Sequence, residues 1–129
     1  MKLLIDSHIL LAVPRREVAQ YGAAVDSLLN SPANDKIVSV ASLWEIAIKH
    51  RLGKLKVALP IESFASYFQA SGFELLAIDH RHATEDLIDP PQTRDPFDRM
   101  LLAQCQCEGM RLVTTDRALA GHPLAWRPT

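Results

Sequence analysis

The run Lys2-Leu3-Leu4-Ile5-Asp6 constrains the fold more than any other stretch of this chain. It is continuously apolar until it stops at one carboxylate, and Ser7 and a second apolar run over 9–13 follow it. A strand with one wet face alternates apolar and polar residues. An unbroken apolar run fits a strand covered on both faces, as at the centre of a parallel sheet. Open α/β sheets gather their ligands at the carboxyl ends of such strands. Asp6 is therefore the first candidate site residue.

The rest of the chain follows the same logic. Val18, Tyr21, Gly22, Val25, Leu28 and Leu29 recur at helical spacing and predict a helix over 17–30, stopped by the turn cluster 31–35. A short strand is expected over 36–40 and a helix over 42–52, closed by Gly53. That helix is apolar over a wide arc, with Leu43, Ile46 and Ala47 on one stripe and Trp44, Ile48 and Leu52 on a second, so part of it is expected to face a partner. Pro60 opens another helix, with Ile61, Phe64, Ala65 and Phe68 inward and Gly72 as its stop. A third strand over 73–78, a short helix over 80–87 and a loop over 88–94 come next. The clearest helix starts at Asp95-Pro96 and ends at Gly109. A fourth strand, 110–115, ends like the first on an acid, Asp116, and 124–126 reads as a short fifth strand. Strands alternating with helices predict an α/β fold: one domain, 1–129, built as a three-layer α/β/α sandwich around a central, mostly parallel sheet of four to five strands.

Composition narrows the function classes. The 14 basic and 15 acidic residues give a net charge of −1, so no basic surplus advertises nucleic acid, although clustered acids can mask a basic rim. No apolar run approaches the ~20 residues that span a bilayer, and the N-terminus lacks a signal-peptide layout. With Cys105 and Cys107 as the two thiols, a cytoplasmic address and no membrane partner are expected. Their spacing, like that of His80 and His82, points the pair to different sides of a helix and makes a poor chelate. His8 reads as a packed, hydrogen-bonded histidine.

Four acids share one situation. Asp6 and Asp116 end strands, and Glu45 and Asp98 are expected in the first turns of helices. Each has a structural role available. Ser42-x-x-Glu45 has the form of a capping box. Asp95-Pro96-Phe97-Asp98 reads as N-cap, N1 proline and N3 acid. Asp116 and Asp6 can cap the turns after them. In a parallel sheet, however, strand carboxyl ends and helix N-termini share one edge, so the four acids become neighbours. Two unit charges about 4 Å apart repel by roughly 4 kcal/mol at an effective dielectric near 20, and such a group shifts its pKa or binds a cation. All-oxygen ligation suits Mg²⁺ or Mn²⁺ better than zinc.

Leu3-Leu4-Ile5-Asp6-Ser7-His8, Ser42-Leu-Trp-Glu45-Ile-Ala-Ile-Lys49 with Leu52-Gly53-Lys54-Leu55, Asp95-Pro-Phe-Asp98-Arg99-Met-Leu-Leu-Ala-Gln104 and Val113-Thr-Thr-Asp116-Arg117 together resemble the PIN-domain ribonucleases. Within these the VapC-type toxins of bacterial toxin–antitoxin pairs are most similar, in the family's order over nearly the whole chain. The resemblance implies a metal-dependent endoribonuclease using one or two Mg²⁺ or Mn²⁺ ions, an RNA substrate, a VapB-like antitoxin and a homodimer. It puts the family's four acids on Asp6, Glu45, Asp98 and Asp116, with Asp6, Asp98 and Asp116 holding metal and Glu45 on a second ion or the water. Ser7, Thr114 and the N-cap Asp95 are supporting candidates, and Arg15, Arg16, Lys49 and Arg51 are candidate phosphate contacts. The helices over 44–52 and 61–68 suggest a groove for the antitoxin. Thr93 stands where many relatives have histidine, and Ala12 where many have an aromatic residue. Two other readings stay open: a PIN-like binding module without catalysis, and a Mg-dependent phosphatase or phosphoacceptor domain. Against the latter, His8 stands where a haloacid-dehalogenase pattern needs a second Asp, and no lysine follows Thr115.

Overall fold

The computed structural model describes residues 1–128. Four strands form one sheet: β1 (Lys2–Ile5), β2 (Asp35–Ser39), β3 (Glu74–Leu76) and β4 (Arg111–Val113). Their order is β3-β2-β1-β4, and every neighbouring pair is parallel. β1 is thus interior, paired on both sides, which accounts for its unbroken apolar run. Its residues alternate between two cores. Leu3 and Ile5 pack with Ile9, Leu10, Val25, Leu29, Ile46, Phe64 and Phe68 on one face of the sheet. Leu4 packs with Ala41, Leu101, Leu102, Cys105, Leu112 and Leu119 on the other.

The helices that supply those faces are α1 (Ser7–Ala12), α2 (Ala23–Asn30), α3 (Val40–Arg51), α4 (Phe64–Ala70), α5 (His80–Thr84), α6 (Pro96–Glu108) and α7 (Arg117–Ala120). The expected helix over 17–30 is broken into a 3₁₀ turn, Val18–Tyr21, and α2, because Gly22 adopts φ 107° between them. The start of α3 also differs from expectation. β2 runs straight into the helix, and the Ser39 hydroxyl, not that of Ser42, caps it by accepting the Ala41 N–H at 3.0 Å. Ser42 is then an internal helix residue, wholly buried, and Glu45 falls beyond the first turn. The segment 124–126 is not a strand. Ala125 makes a single parallel bridge to Leu112, since only Leu112 N to Leu124 O and Trp126 N to Leu112 O close.

No described helix is long and apolar enough to cross a membrane. At the carboxyl edge of the sheet, β1 and β4 end level with each other, with Ile5 opposite Val113. The chain continues there through the Asp6 N–H, which donates to the Val113 carbonyl at 3.1 Å. The starts of α1 and α7 are thereby fixed side by side.

Candidate active site

A cavity of about 170 Å³ opens at that edge, lined by Asp6, Ser7, His8, Glu45, Lys49, Asp95, Asp98, Leu101, Thr114, Asp116 and Leu119. Five carboxylates from β1–α1, α3, α6 and β4–α7 face it with one lysine. Most of them are also fastened to the fold. Asp6 is buried and N-caps α1, accepting the Ile9 N–H at 3.1 Å, while the Thr114 hydroxyl meets its carboxylate. Asp116 N-caps α7 through the Ala118 N–H at 2.9 Å, and its own N–H donates to the Thr114 hydroxyl. Asp95 N-caps α6, accepting from the N–H groups of Phe97 and Asp98.

Glu45 is buried and held at both oxygens. The Ser7 hydroxyl donates to Oε1 at 2.9 Å, and the Lys49 ammonium, one turn along α3, donates to Oε2 at 2.7 Å. Asp98, at N3 of α6, differs from all of these: among the described residues its carboxylate has no hydrogen-bond partner. Burial, followed by the charges of Asp95, Asp116, Glu45 and Asp6, pushes its pKa up to about 6. Burial also raises Asp6, against the opposing bonds from Thr114 and Ile9. Lys49 is raised chiefly by its bond to Glu45, with the charges of Asp95 and Asp98 adding to it.

The basic candidates separate. Lys49 lies in the cavity. Arg51 is exposed in the last turn of α3. Arg15 donates to the Lys56 carbonyl, and Arg16, at φ 56°, lines a different cavity with Val18, Asp26 and Lys36. His8 is exposed at the rim, not packed, because it lies on the outer side of α1. Thr93 accepts the Asp95 N–H at 3.1 Å and so supports the α6 cap.

A second acid–histidine group lies at the far end of α6. Asp79, His82 and Glu108 each bring a ligand atom within 4.8 Å of the others, tighter than any three of the pocket carboxylates among the described residues. Its chemistry is nevertheless that of a closed knot. The buried His82 ring accepts the Asp79 N–H at Nδ1 (3.1 Å) and shares Nε2–H with Glu108 (3.0 Å). Arg81 spans both acids, 2.9 Å from Asp79 and 2.6 Å from Glu108. The guanidinium already pairs with both acids. Sequence spacing carried a signal for this knot in Asp79-x-x-His82, a capping box with histidine at N3.

A family model of the PIN domain matches residues 3–122. The chain belongs to the PIN domain family. Ribonuclease VapC16 of Mycobacterium tuberculosis is 37% identical to this PIN domain over 78 residues, 55% of this chain and 53% of the relative. The chain thus spans about half the length of the curated relative it matches. Two solved structures share the fold. A toxin–antitoxin complex from Klebsiella pneumoniae has a TM-score of 0.60 at 20% identity, covering 98% of each chain. VapBC2 from Rickettsia felis, bound to a DNA fragment from their promoter, has a TM-score of 0.60 at 16% identity, covering 97% of this chain and 96% of that one. The parallel α/β sandwich expected from the sequence is the fold of this family.

Proposed function

We propose that this PIN domain is a metal-dependent endoribonuclease of the VapC type, with Mg²⁺ or Mn²⁺ as cofactor and a VapB-like antitoxin as its inhibitor. One observation carries the reading: carboxylates from four separate segments face one cavity with a single lysine. The donors fit a hard divalent ion, since Asp6, Asp98 and Asp116 offer oxygen only. Beyond burial, the charges of Asp95, Asp116, Glu45 and Asp6 raise the pKa of Asp98, a repulsion that a bound cation relieves.

Asp6, Asp98 and Asp116 would hold the ion. When bound, it supplies a water of lowered pKa and neutralises charge growing on the phosphoryl oxygens. The surrounding residues do the positioning. Thr114 steadies Asp6 and the Asp116 turn, Asp95 fixes the turn that presents Asp98, and Ser7 fixes Glu45, which would orient the water. Lys49 is the basic residue at the cavity wall, where an incoming phosphate would meet it. The VapC resemblance supports the antitoxin and the homodimer, and the Klebsiella neighbour is a toxin–antitoxin complex. Trp44, 57% exposed and edge-on to Phe97, is the apolar contact such a partner would cover.

The test is RNA cleavage by the purified chain in Mn²⁺, in Mg²⁺ and in chelator. Cleavage should need the ion. Equal cleavage in chelator removes the mechanism.

A further inference from the structure

We propose that Lys49 takes the place of a second metal ion, so that the pocket binds one divalent cation per chain. The inference rests on the metal-dependent reading above and deepens it. Paired-metal sites hold their ions about 3.5–4 Å apart, bridged or flanked by shared carboxylates. The acids left for a second ion are Glu45 and the uncapped oxygen of Asp95, and both act on Lys49. Glu45 already has a donor at each oxygen. Ser7 donates to Oε1 at 2.9 Å and the Lys49 ammonium sits 2.7 Å from Oε2.

An ion on that side of Glu45 would have to displace Lys49 or sit against it, and two cations at that range repel. The arrangement is not a loose surface pair. The Glu45 side chain is 7% exposed and that of Lys49 36%, so the ammonium lies over the carboxylate at the cavity wall. The pair is one helical turn apart on α3, which holds it in place. Lys49 also feels Asp95 and Asp98, so its charge acts on the whole cluster and not on Glu45 alone. It is a positioning residue that supplies a fixed positive charge where a two-ion enzyme would recruit a mobile one.

The experiment counts bound Mn²⁺ per chain by electron paramagnetic resonance of the free ion, on the full-length protein at saturating Mn²⁺. Circular dichroism confirms the fold of each variant. Wild type and Lys49→Arg should bind one ion, and Lys49→Met should bind two, because the site beside Glu45 is then open. Two ions on wild type would overturn the inference while leaving the nuclease reading intact. One ion on Lys49→Met would also overturn it, since vacating the position then opens nothing. No bound Mn²⁺ on wild type, with RNA cleavage persisting in chelator, would overturn the metal-dependent reading and this inference with it.

Discussion

The two ends of α6 carry the two densest groups of titratable residues in the described chain, and the protein treats their charges in opposite ways. At the C-terminal end the acids are lowered: Arg81 holds Asp79 at about 2, and His82 with Arg81 brings Glu108 below its usual range. At the N-terminal end two acids are raised: Asp98 stands at about 6 and Asp6 is pushed up by burial. Both groups are close-set and both contribute helix caps. The difference is compensation. The knot contains its own cation and closes its hydrogen bonds, whereas the pocket sets five carboxylates against one lysine. Ligand spacing alone would choose the knot as the metal site. Charge balance favours the pocket on the proposed reading, because a site that must take up a cation cannot already be neutral.

The largest effect expected from this contrast is on chemistry. Asp98→Asn should lower metal-stimulated RNA cleavage by about 100-fold or more, the scale on which altered metal surroundings act, with an unchanged circular dichroism spectrum. Full activity in a cleavage assay would remove Asp98 from the site. At the other end the expected loss is in folding. His82→Ala empties a fully buried position whose ring nitrogens are both bonded, at a cost of roughly 2–4 kcal/mol. Urea denaturation that gives the same midpoint for both proteins would show the knot to be decorative.

A smaller effect links the two through pH. Between 3.8 and about 6 the folded chain keeps a proton on Asp98 that the unfolded chain has released. Stability therefore falls as pH rises through that window, and the penalty is complete above it. In metal-free buffer at pH 7.5, Asp98→Asn should raise Tm by about 2–4 °C, and the gain should vanish below the window. A gain that persists at pH 3.5 by differential scanning calorimetry would assign it to something other than this charge. The smallest change is expected from Arg81→Gln. Its guanidinium is half exposed, so the Tm should move by no more than about 2 °C. The sharper readout is metal: added Mn²⁺ should stabilise this variant more than wild type, if the guanidinium is what keeps a cation out of the knot.

Much of this organisation was legible in the chain itself. The buried run ending at Asp6, the cap Asp95-Pro96 and the acid after β4 are local patterns with local causes, and they put the sheet, its edge and the helix starts in place. The start of α3 was misread because Ser42-x-x-Glu45 has the form of a capping box. Only the direct passage from β2 into the helix reveals Ser39 as the cap. The fifth strand failed for a related reason, since a single bridge needs far less sequence signal than a ladder. Pairings between distant segments left no pattern to read. The contact of Ser7 with Glu45 spans 38 residues, and that of His82 with Glu108 spans 26. Lys49 was visible as a basic residue near the acids, but its commitment to Glu45 depends on a side-chain direction that spacing does not supply. His8 was expected to pack and instead faces solvent, because six residues of α1 turn it outward.

The interior position of β1 has a consequence for how the protein is made. Its partner on one side is β2, but on the other it is β4, more than a hundred residues later, and Asp6 is anchored through Val113. During synthesis the first strand must wait for nearly the last, the kind of long-range pairing that forms late and slowly. Until residue 116 has left the ribosome, the nascent chain carries scattered acids and no cavity. The cavity therefore comes into being in one late step, when the segment carrying Val113 to Asp116 closes on the first strand.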